Sequence, residues 1–297
     1  MNKLVVIAGT NASGKSGLGI ELAAKYGAEI ISADSRQVYR GLDLGSGKVT
    51  QEEMKGVPHH LLDVVEPNAF FSLKDFQRLA YAAADDIIAR GKIPFLVGGT
   101  GLYINAVADG YNISESEPSP ELRRQVENMT LQELTETVRE ADPEALSKMD
   151  LKNKRRLERA VEKIKTGVPL KLESVPRYKT LVLGVTWDRQ VLYGRIEERL
   201  DRRLEQGMIG EVERLVAEGA TDDFLYGLGL EYRYILMYLR GHYATKELFR
   251  EELFKEIRHL AKEQMTWFRK RNDMHWLNME ADPVGEASGL IDAFLKE

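Results

Sequence analysis

The chain has 297 residues, of which 43% are hydrophobic and 30% charged, and its formal net charge at pH 7 is −5. This composition is typical of a globular protein with one large domain or two. The absence of cysteine excludes disulfides, thiolate metal sites and thiol nucleophiles. No apolar stretch approaches the roughly 18 residues of a membrane span, and no signal segment is recognisable, so we expect a cytoplasmic protein with no membrane partner.

The first predicted element is a strand at residues 4–8, which leads directly into a phosphate-loop pattern. The pattern G-x-x-x-x-G-K-S is formed by Gly9, Thr10, Asn11, Ala12, Ser13, Gly14, Lys15 and Ser16. Its glycines let backbone N–H groups surround a polyphosphate, its lysine places a positive charge on the outer phosphate, and its serine hydroxyl can hold Mg²⁺. An amphipathic helix at about 17–26 follows and directs its positive dipole end toward the same anion.

Strand and helix signals then alternate up to about residue 110. Residues 29–34 read as a strand ending on Asp34, residues 61–65 are an apolar run, and residues 93–97 read as a strand followed by Gly-Gly-Thr100-Gly. A helix between them starts at a capping box of Ser72 and Asp75 and ends near Gly91. Apolar strands separated by helices predict an α/β fold with a parallel sheet and helices on both faces. Because ligands bind at the carboxyl ends of such strands, we expect Asp34, Thr100 and the phosphate loop to share a pocket.

A polar, proline-containing stretch at residues 114–120 marks a change of pattern. Helices are predicted after it at about 120–128, 131–140, 143–148 and 153–166, then a strand at 180–185 and helices near 189–206, 208–218, 230–240 and 245–271. The interpretation is a phosphate-loop α/β core of residues 1–114 and 179–297, with a helical C-terminal part, interrupted by a helical insertion domain of residues 115–178.

Two basic clusters stand out on this acidic chain. Residues 152–165 hold seven basic residues and two acids, with apolar positions on one helix face and basic positions on another. The second cluster is Arg269-Lys270-Arg271. A single run of this kind is usually a solvated helix face, but two favour a partner with a phosphate backbone.

A phosphate loop alone does not identify a reaction. Phosphate-loop kinases and NTPases add an acid at the end of an apolar strand to hold Mg²⁺. The strand at 93–97 has no such acid, Asp63 is a weak substitute, and the clearest strand-end acid is Asp34. The chain therefore lacks the usual kinase equipment.

Taken together, the motifs resemble those of the tRNA dimethylallyltransferases, also called tRNA isopentenyltransferases, over nearly the whole chain. The matching segments are residues 9–16, 34–43, 58–63, 98–103, 153–162 and 260–269. Asp-Ser-Arg-Gln-Val-Tyr at residues 34–39 and Gly-Gly-Thr-Gly-Leu-Tyr at residues 98–103 are specific to this family and its close relatives.

The resemblance implies transfer of a dimethylallyl group from dimethylallyl diphosphate to N6 of adenosine 37, next to the tRNA anticodon, with Mg²⁺ as cofactor. Residues 9–16 would bind the diphosphate, with Lys15 catalytic and Ser16 on the metal. Asp34 would be the general base, and Thr100 would hold the base or a diphosphate oxygen. The remaining tRNA contacts implied are Ser35, Arg36, Gln37, Arg123, Arg155, Arg156, Leu157, Glu158 and Arg159. We expect a monomer that grips the anticodon stem-loop of tRNA.

Simpler interpretations stand beside these. Asp34 and Thr100 would each be a helix N-cap, His59 and His60 would be structural, and Met265, Trp267 and Phe268 would serve packing.

The chain also departs from the family pattern. Thr10-Asn11 stands where the loop usually reads Pro-Thr, and Glu263 stands at a usually basic position. Leu228 stands where a diphosphate-contacting arginine is expected, and Glu231 replaces a glycine; Arg233 is the candidate substitute. The alternatives left open are a prenyltransferase acting on a free adenine nucleotide, a small-molecule kinase, and a non-catalytic paralogue that binds tRNA or a nucleotide.

Overall fold

The computed structural model describes residues 1–113, 119–147, 149–170 and 173–297. Its strands are β1 (Lys3–Ala8), β2 (Glu29–Ala33), β3 (His59–His60), β4 (Pro94–Gly98), β5 (Lys179–Thr186) and β6 (Met274–Asn278). Its helices are α1 (Lys15–Tyr26), α2 (Leu73–Ala89), α3 (Gly101–Ala108), α4 (Pro120–Glu127), α5 (Leu131–Ala141), α6 (Pro143–Ser147), α7 (Lys154–Lys165), α8 (Arg189–Glu205), α9 (Met208–Ala217), α10 (Asp222–Leu228), α11 (Leu230–Leu239), α12 (Lys246–Phe268) and α13 (Pro283–Lys296).

The strands in these residues form one parallel sheet in the order β3-β2-β4-β1-β5-β6. Successive residues of β1 face opposite sides of it, as the period of a strand requires. Leu4 and Val6 belong to the apolar core that includes α2 and α3, whereas Val5 and Ile7 belong to the core that includes α1 and α13. The predicted α/β fold, with helices on both faces of a parallel sheet, is confirmed.

Three strand ends meet at one edge of the sheet. Gly98 at the end of β4 is in register with Ala8 at the end of β1 and with Ala33 at the end of β2. The segments that follow these strands therefore leave the sheet at the same level. They are the phosphate loop, the turn that begins with Asp34, and the segment containing Thr100.

The apolar run at residues 61–65 does not continue the sheet as a strand. The strand precedes it, because His59 and His60 pair with Ile30 and Ile31 of β2. Leu61 then has a φ angle of 65°. This left-handed backbone conformation cannot propagate an extended strand.

Besides β3, three elements went unpredicted: α10, β6 and α13. The first two have only seven and five residues, too few for a clear periodic pattern. Helix α13 did carry a start signal, since Asp282 accepts a hydrogen bond from the N–H of Gly285 and Pro283 occupies the first turn. The last predicted helix was also too long: α12 ends at Phe268 rather than at residue 271. In contrast, the capping box of Ser72 and Asp75 is confirmed.

The described residues divide into two compact units. The core unit comprises Met1–Asp109 and Pro176–Glu297, and the helical unit comprises Gly110–Val175. The helical unit has a hydrophobic core of its own, which contains Val126, Leu134, Val138, Leu157 and Val161. Residues 114–118 of the predicted boundary segment, and Lys148 at the end of a predicted helix, lie outside the described residues. The domain limits at 114/115 and 178/179 thus stay a prediction.

Among the residues described, none of the helices combines the length and the apolar character needed to cross a lipid bilayer.

Candidate active site

The phosphate loop lies between β1 and α1. Gly14 directly precedes the helix with a φ angle of 83°, and no side chain caps the helix N-terminus. The loop is held from behind, because Trp187 Nε1 donates to Ser13 O at 2.8 Å and Arg195 Nε donates to Ala12 O at 3.1 Å. Two carbonyl oxygens are thereby engaged, while the uncapped N–H groups at the start of α1 can bind an anion.

A side chain of α12 ties this loop to the end of β4. Gln264 Oε1 accepts from the Asn11 N–H at 2.9 Å, and its Nε2 donates to Gly99 O at 3.0 Å. The backbone of Asn11, one of the departures from the family pattern, is thus fixed against the neighbouring strand end.

Asp34 begins a turn rather than a helix. Its Oδ1 accepts from the N–H of Arg36 at 2.9 Å and of Gln37 at 3.4 Å, and no helix follows β2 in this part of the chain. Oδ2 has no hydrogen-bond partner in the described part of the structure. The interpretation of Asp34 as a helix cap is therefore wrong, and one carboxylate oxygen stays available.

Thr100 precedes α3 at the N-cap position, but its side chain does not cap that helix. Its Oγ1 instead accepts from the Ser35 N–H at 3.1 Å, and its own N–H donates to Ala33 O at 3.2 Å. Thr100 therefore joins the ends of β2 and β4, and the simple capping interpretation is wrong.

A cavity of about 330 Å³ opens at these strand ends. Its lining includes Asn11, Asp34, Ser35, Arg36, Gly99, Thr100, Glu231, Glu263 and Trp267. The expected convergence of Asp34 and Thr100 with the phosphate loop is thus seen in the structure, with Asn11 as the contributing loop residue. Three predicted site residues are not part of this lining: Lys15, Ser16 and Gln37. The Nζ atom of Lys15 nevertheless lies beside Gly99, which does line the cavity.

Gln37 turns away from the cavity. It accepts from Ser32 Oγ at 2.9 Å and donates to Gly47 O at 3.2 Å. The implied contact between its side chain and the tRNA base is therefore not supported, because the amide is engaged inside the core unit.

Trp267, for which packing is the simpler interpretation, is 40% exposed and lines the cavity. A Cβ on Gly101 would overlap its indole, so the ring lies directly against the start of α3. Phe268, in contrast, is fully buried. The packing interpretation is therefore confirmed for Phe268, whereas Trp267 both packs against α3 and presents part of its ring to the cavity.

Two arginines of α8 that were not singled out from the sequence lie beside the phosphate loop. Arg199 and Arg203 line a small cavity of about 10 Å³ together with Asn11, Ala12 and Glu231. Both guanidinium groups lie against Gly47, where a Cβ would overlap them. A signal was present: Arg195, Arg199 and Arg203 recur every four residues and so share one helix face.

This crowding of positive charge affects protonation. Burial, followed by repulsion from Arg199, lowers the pKa of Lys15 to about 8 from its ordinary value of 10.5, while Asp34 partly opposes the shift. Burial and the neighbouring Arg203 lower the pKa of Arg199 to about 9. Burial also lowers the pKa of Arg203. Burial is the first cause of all three shifts, and a neighbouring cation adds to those of Lys15 and Arg199.

The two departures on α10 and α11 have different surroundings. Leu228 is buried in an apolar core. Glu231 is also buried, which raises its pKa, and its Oε1 lies 3.9 Å from Arg203 Nη1. Arg233, the suggested substitute for the missing arginine, instead stacks on Tyr226 at 4.4 Å and donates to its carbonyl oxygen at 2.9 Å.

The surroundings of Ser16 fit a hard cation. Ser16, Ser32, Gln37 and His59 line a cavity of about 20 Å³ together with the apolar Ile30, Val49 and Val97. Hydroxyl and amide oxygens are ligands that Mg²⁺ or its bound water accepts. No group of three or more His, Asp or Glu in the described ranges could hold a metal, so a cation beside Ser16 would need further ligands from outside the protein.

Of the predicted basic face of α7, Arg155 and Arg156 are exposed. Arg159 is also exposed and pairs with Glu162 at 2.6 Å, and the partly buried Glu158 lies 3.6 Å from Lys154. Leu157 is completely buried in the core of the helical unit, so its implied side-chain contact with tRNA is corrected. Arg123, on α4 of the same unit, is partly buried.

The second basic cluster, at residues 269–271, presents fewer exposed basic side chains than its sequence suggests. Arg271 is only partly exposed and pairs with Asp109 at 2.8 Å and with Asp273 at 2.7 Å. Only Arg269 and Lys270 of that run are exposed, so it cannot act as a three-residue phosphate-binding patch.

His59 and His60 make structural contacts. The Nδ1 atom of His59 lies 2.8 Å from Val57 O, and the Nε2 atom of His60 lies 2.8 Å from the Glu29 carboxylate.

Comparison with known proteins identifies the family. Residues 37–271 match the family model described as IPP transferase, and residues 2–66 match that of isopentenyl transferase. The chain is 42% identical over 292 residues to "tRNA dimethylallyltransferase 1" of Geotalea daltonii, an alignment covering 97% of this chain and 94% of that protein. It is 39% identical over 291 residues to the tRNA dimethylallyltransferase of Acetivibrio thermocellus, covering 94% and 93%.

Solved structures agree. The full-length tRNA isopentenylpyrophosphate transferase of Bacillus halodurans superposes with a TM-score of 0.77 at 38% identity, covering 100% of this chain and 97% of that one. A eukaryotic dimethylallyltransferase acting on tRNA gives a TM-score of 0.81 at 26% identity, covering 94% and 74%. The phosphate loop, the strand-end acid and the matches over nearly the whole length lead to one conclusion: the chain belongs to the IPP transferase family, the tRNA dimethylallyltransferases.

Proposed function

We propose that the chain transfers the dimethylallyl group of dimethylallyl diphosphate to N6 of the adenosine next to the tRNA anticodon. The observation that supports this most directly is that Asp34, Thr100 and Asn11 of the phosphate loop line one cavity of about 330 Å³. The cavity brings together Asn11 of the phosphate loop, an acid with an available oxygen and an aromatic side chain, Trp267.

In the proposed reaction the allylic C–O bond of the donor breaks, and its electron pair leaves with diphosphate. The N–H groups at the start of α1 and the ammonium group of Lys15 stabilise the charge that develops on this leaving group. Ser16, with diphosphate oxygens, would hold Mg²⁺, which when bound would add charge stabilisation at the same place.

The N6 amine forms the new C–N bond and loses a proton. Asp34 accepts that proton through Oδ2, since Oδ1 is already engaged by the N–H groups of Arg36 and Gln37. Thr100 Oγ1 holds the Asp34–Ser35 turn against the end of β4 and so keeps the carboxylate in place. The adenine would have to leave its stack to reach this cavity, as in other enzymes that modify a base.

For the tRNA backbone we propose Arg155, Arg156 and Arg159 of α7, with Arg123 of α4, as phosphate contacts on the anticodon stem-loop. Their support is the exposure of the three α7 arginines on one helix. A free nucleotide acceptor would have no use for this basic face.

Labelled donor separates the candidate functions. The protein is mixed with Mg²⁺, labelled dimethylallyl diphosphate and either tRNA or AMP, and label is followed in each acceptor. Label in tRNA is the expected result. Label only in AMP would instead assign a prenyltransferase that acts on a free nucleotide. ATP turnover with an acceptor and without prenyl transfer would assign a kinase. Binding of tRNA without any transfer would assign a non-catalytic paralogue.

A further inference from the structure

We infer that Arg199 and Arg203 form a second cationic arm of the diphosphate site, and that Glu231 is the internal anion that the donor diphosphate replaces. This inference rests on the proposed function, because it names further residues of the same site. Its starting observation is the small cavity of about 10 Å³ behind Asn11 and Ala12, which both arginines and Glu231 line.

The charges around this cavity do not balance. Lys15, Arg199 and Arg203 interact electrostatically with one another, and the acids that act on both arginines are Glu231 and Asp34. In the residues described, neither guanidinium group donates a hydrogen bond to another residue. Two planar donor groups held side by side against Gly47, without acceptors, are arranged for an oxyanion such as a phosphate.

The contact between Arg203 and Glu231 is a loose one. Their nearest charged atoms are 3.9 Å apart, beyond hydrogen-bond distance, although the side chains are only 12% and 10% exposed. Burial raises the pKa of Glu231, so its charge is only partly stabilised there. An internal pair of this strength offsets the positive charge in the free protein and can be exchanged for a more highly charged ligand.

The position of Glu231 connects the two cavities. Glu231 and Asn11 line both the small cavity and the cavity of about 330 Å³ that contains Asp34 and Thr100. A rotation of the Glu231 side chain away from Arg203 would therefore open the arginine pair to a diphosphate seated on the phosphate loop. Since Leu228 is apolar and Arg233 is held on Tyr226, Arg199 and Arg203 are two arginines that can take the place of the missing one.

The test measures binding of inorganic diphosphate by titration calorimetry, with and without Mg²⁺. We expect Arg203→Met to weaken diphosphate binding about 10- to 100-fold, the range for losing a charged hydrogen-bond partner. Binding of tRNA should stay within about twofold of the wild type, since the arginine lies beside the diphosphate. The matched control is Arg202→Met on the same helix, whose side chain is 58% exposed; its diphosphate binding should be unchanged.

A purely structural role for Arg203 predicts a different outcome. In that case the single variant would fail because Glu231 is left unpaired, and Arg203→Met/Glu231→Gln would recover both the melting temperature and diphosphate binding. We expect the double variant to recover the melting temperature while diphosphate binding stays weak. Glu231→Gln alone should bind diphosphate more tightly, because the competing internal anion is gone.

Recovery of diphosphate binding in the double variant, or wild-type binding by Arg203→Met, would overturn this inference and leave the proposed function standing. Weaker binding by Glu231→Gln would overturn the role of Glu231 as the replaced anion. If the wild-type chain bound no diphosphate, the proposed function itself would fall together with the inference.

Discussion

At the strand ends, some side-chain oxygens hold the backbone in place while another has no hydrogen-bond partner among the described residues. Asp34 Oδ1 and Thr100 Oγ1 accept backbone hydrogen bonds that shape the turn, which leaves Asp34 Oδ2 for chemistry. Lys15 donates to Thr10 O at 3.2 Å and lies beside Gly99, so its ammonium is placed by the loop itself. Substitution of Asp34 should therefore affect the chemical step, whereas substitution of Lys15 should affect both transfer and stability.

Asp34→Asn should lower the rate of prenyl transfer by about 100-fold or more, the usual contribution of a general base. The amide keeps an oxygen for the Arg36 N–H but cannot take a proton. Single-turnover rates with labelled donor measure the loss, and tRNA binding should remain within about twofold because the turn is kept. Asp63→Asn, which changes the other acid weighed from the sequence, is the control; a near-normal rate for Asp34→Asn would show that this carboxylate is not the base.

Lys15→Met should abolish transfer yet raise the melting temperature at pH 7 by about 2–4 °C. Burial, followed by repulsion from Arg199 and Arg203, lowers the pKa of Lys15 to about 8 in the fold against 10.5 ordinarily, while Asp34 partly opposes the shift. The unfolded chain thus keeps this proton more readily than the folded one. Below pH 8 the ammonium group of Lys15 is protonated in both states, so its destabilisation of the folded state is complete. This destabilisation decreases as the pH rises toward 10.5, because the folded chain loses the proton first.

Melting curves at pH 7 and pH 9.5 test the sign. The increase in melting temperature caused by Lys15→Met should be smaller at pH 9.5 than at pH 7. Lys246→Met changes an exposed position and should leave the melting temperature unchanged at both pH values. A pH-independent gain, or a loss at pH 7, would mean that the lysine is not held as an unfavourable charge.

At the scale of elements, helix α7 combines a buried apolar side with an exposed basic side. Leu157 and Val161 lie in the core of the helical unit, while Arg155 and Arg156 are exposed. Asn153 caps the helix by accepting a hydrogen bond from the Arg156 N–H at 3.0 Å. The cap and the apolar stripe place the arginines at the start of the helix, on its solvent side.

Arg156→Ala should weaken tRNA binding and reduce the slope of log K against log salt by about 0.7–0.9, the value for one lost phosphate contact. Filter binding at several salt concentrations measures the slope. Arg139→Ala removes an exposed arginine of α5 in the same unit and serves as the control. An unchanged slope for Arg156→Ala, or an equal change in the control, would contradict a specific contact by this helix.

At the scale of the whole molecule, the two units have separate hydrophobic cores. The residues of the helical-unit core come from α4, α5, α6 and α7, whereas the sheet, α1–α3 and α8–α13 supply the cores of the other unit. Separate cores allow one unit to be destabilised while the other stays folded.

Leu157→Ala should destabilise the helical unit by about 2–5 kcal/mol, the usual cost of a large cavity in a core. Hydrogen exchange should speed up in residues 119–170, and diphosphate binding by the core unit should be retained. Leu151→Ala, at a position 44% exposed, should have little effect. Loss of diphosphate binding in Leu157→Ala would show that the units do not fold separately.

Much of the fold could be predicted because its signals are local. The phosphate loop is a contiguous segment, and the apolar strands and amphipathic helices of the sheet repeat at short spacing. The strands that the sequence analysis missed are too short to give such a local signal. Strand β3 is two residues long and ends where Leu61 takes a left-handed conformation, and β6 is a five-residue edge strand, so neither shows a period to read.

The same distinction applies to the site. Spacing and resemblance by themselves determined the phosphate loop, Asp34 and Thr100 as candidates, since each lies next to a strand signal. Only the tertiary structure placed Arg199 and Arg203 near Lys15, exposed Trp267 to the cavity, buried Leu157 and paired Arg271 with Asp109. The physical reason is that burial and charge pairing depend on which helices pack together, and residues 15 and 199, far apart in the chain, become neighbours only when α8 packs behind the phosphate loop.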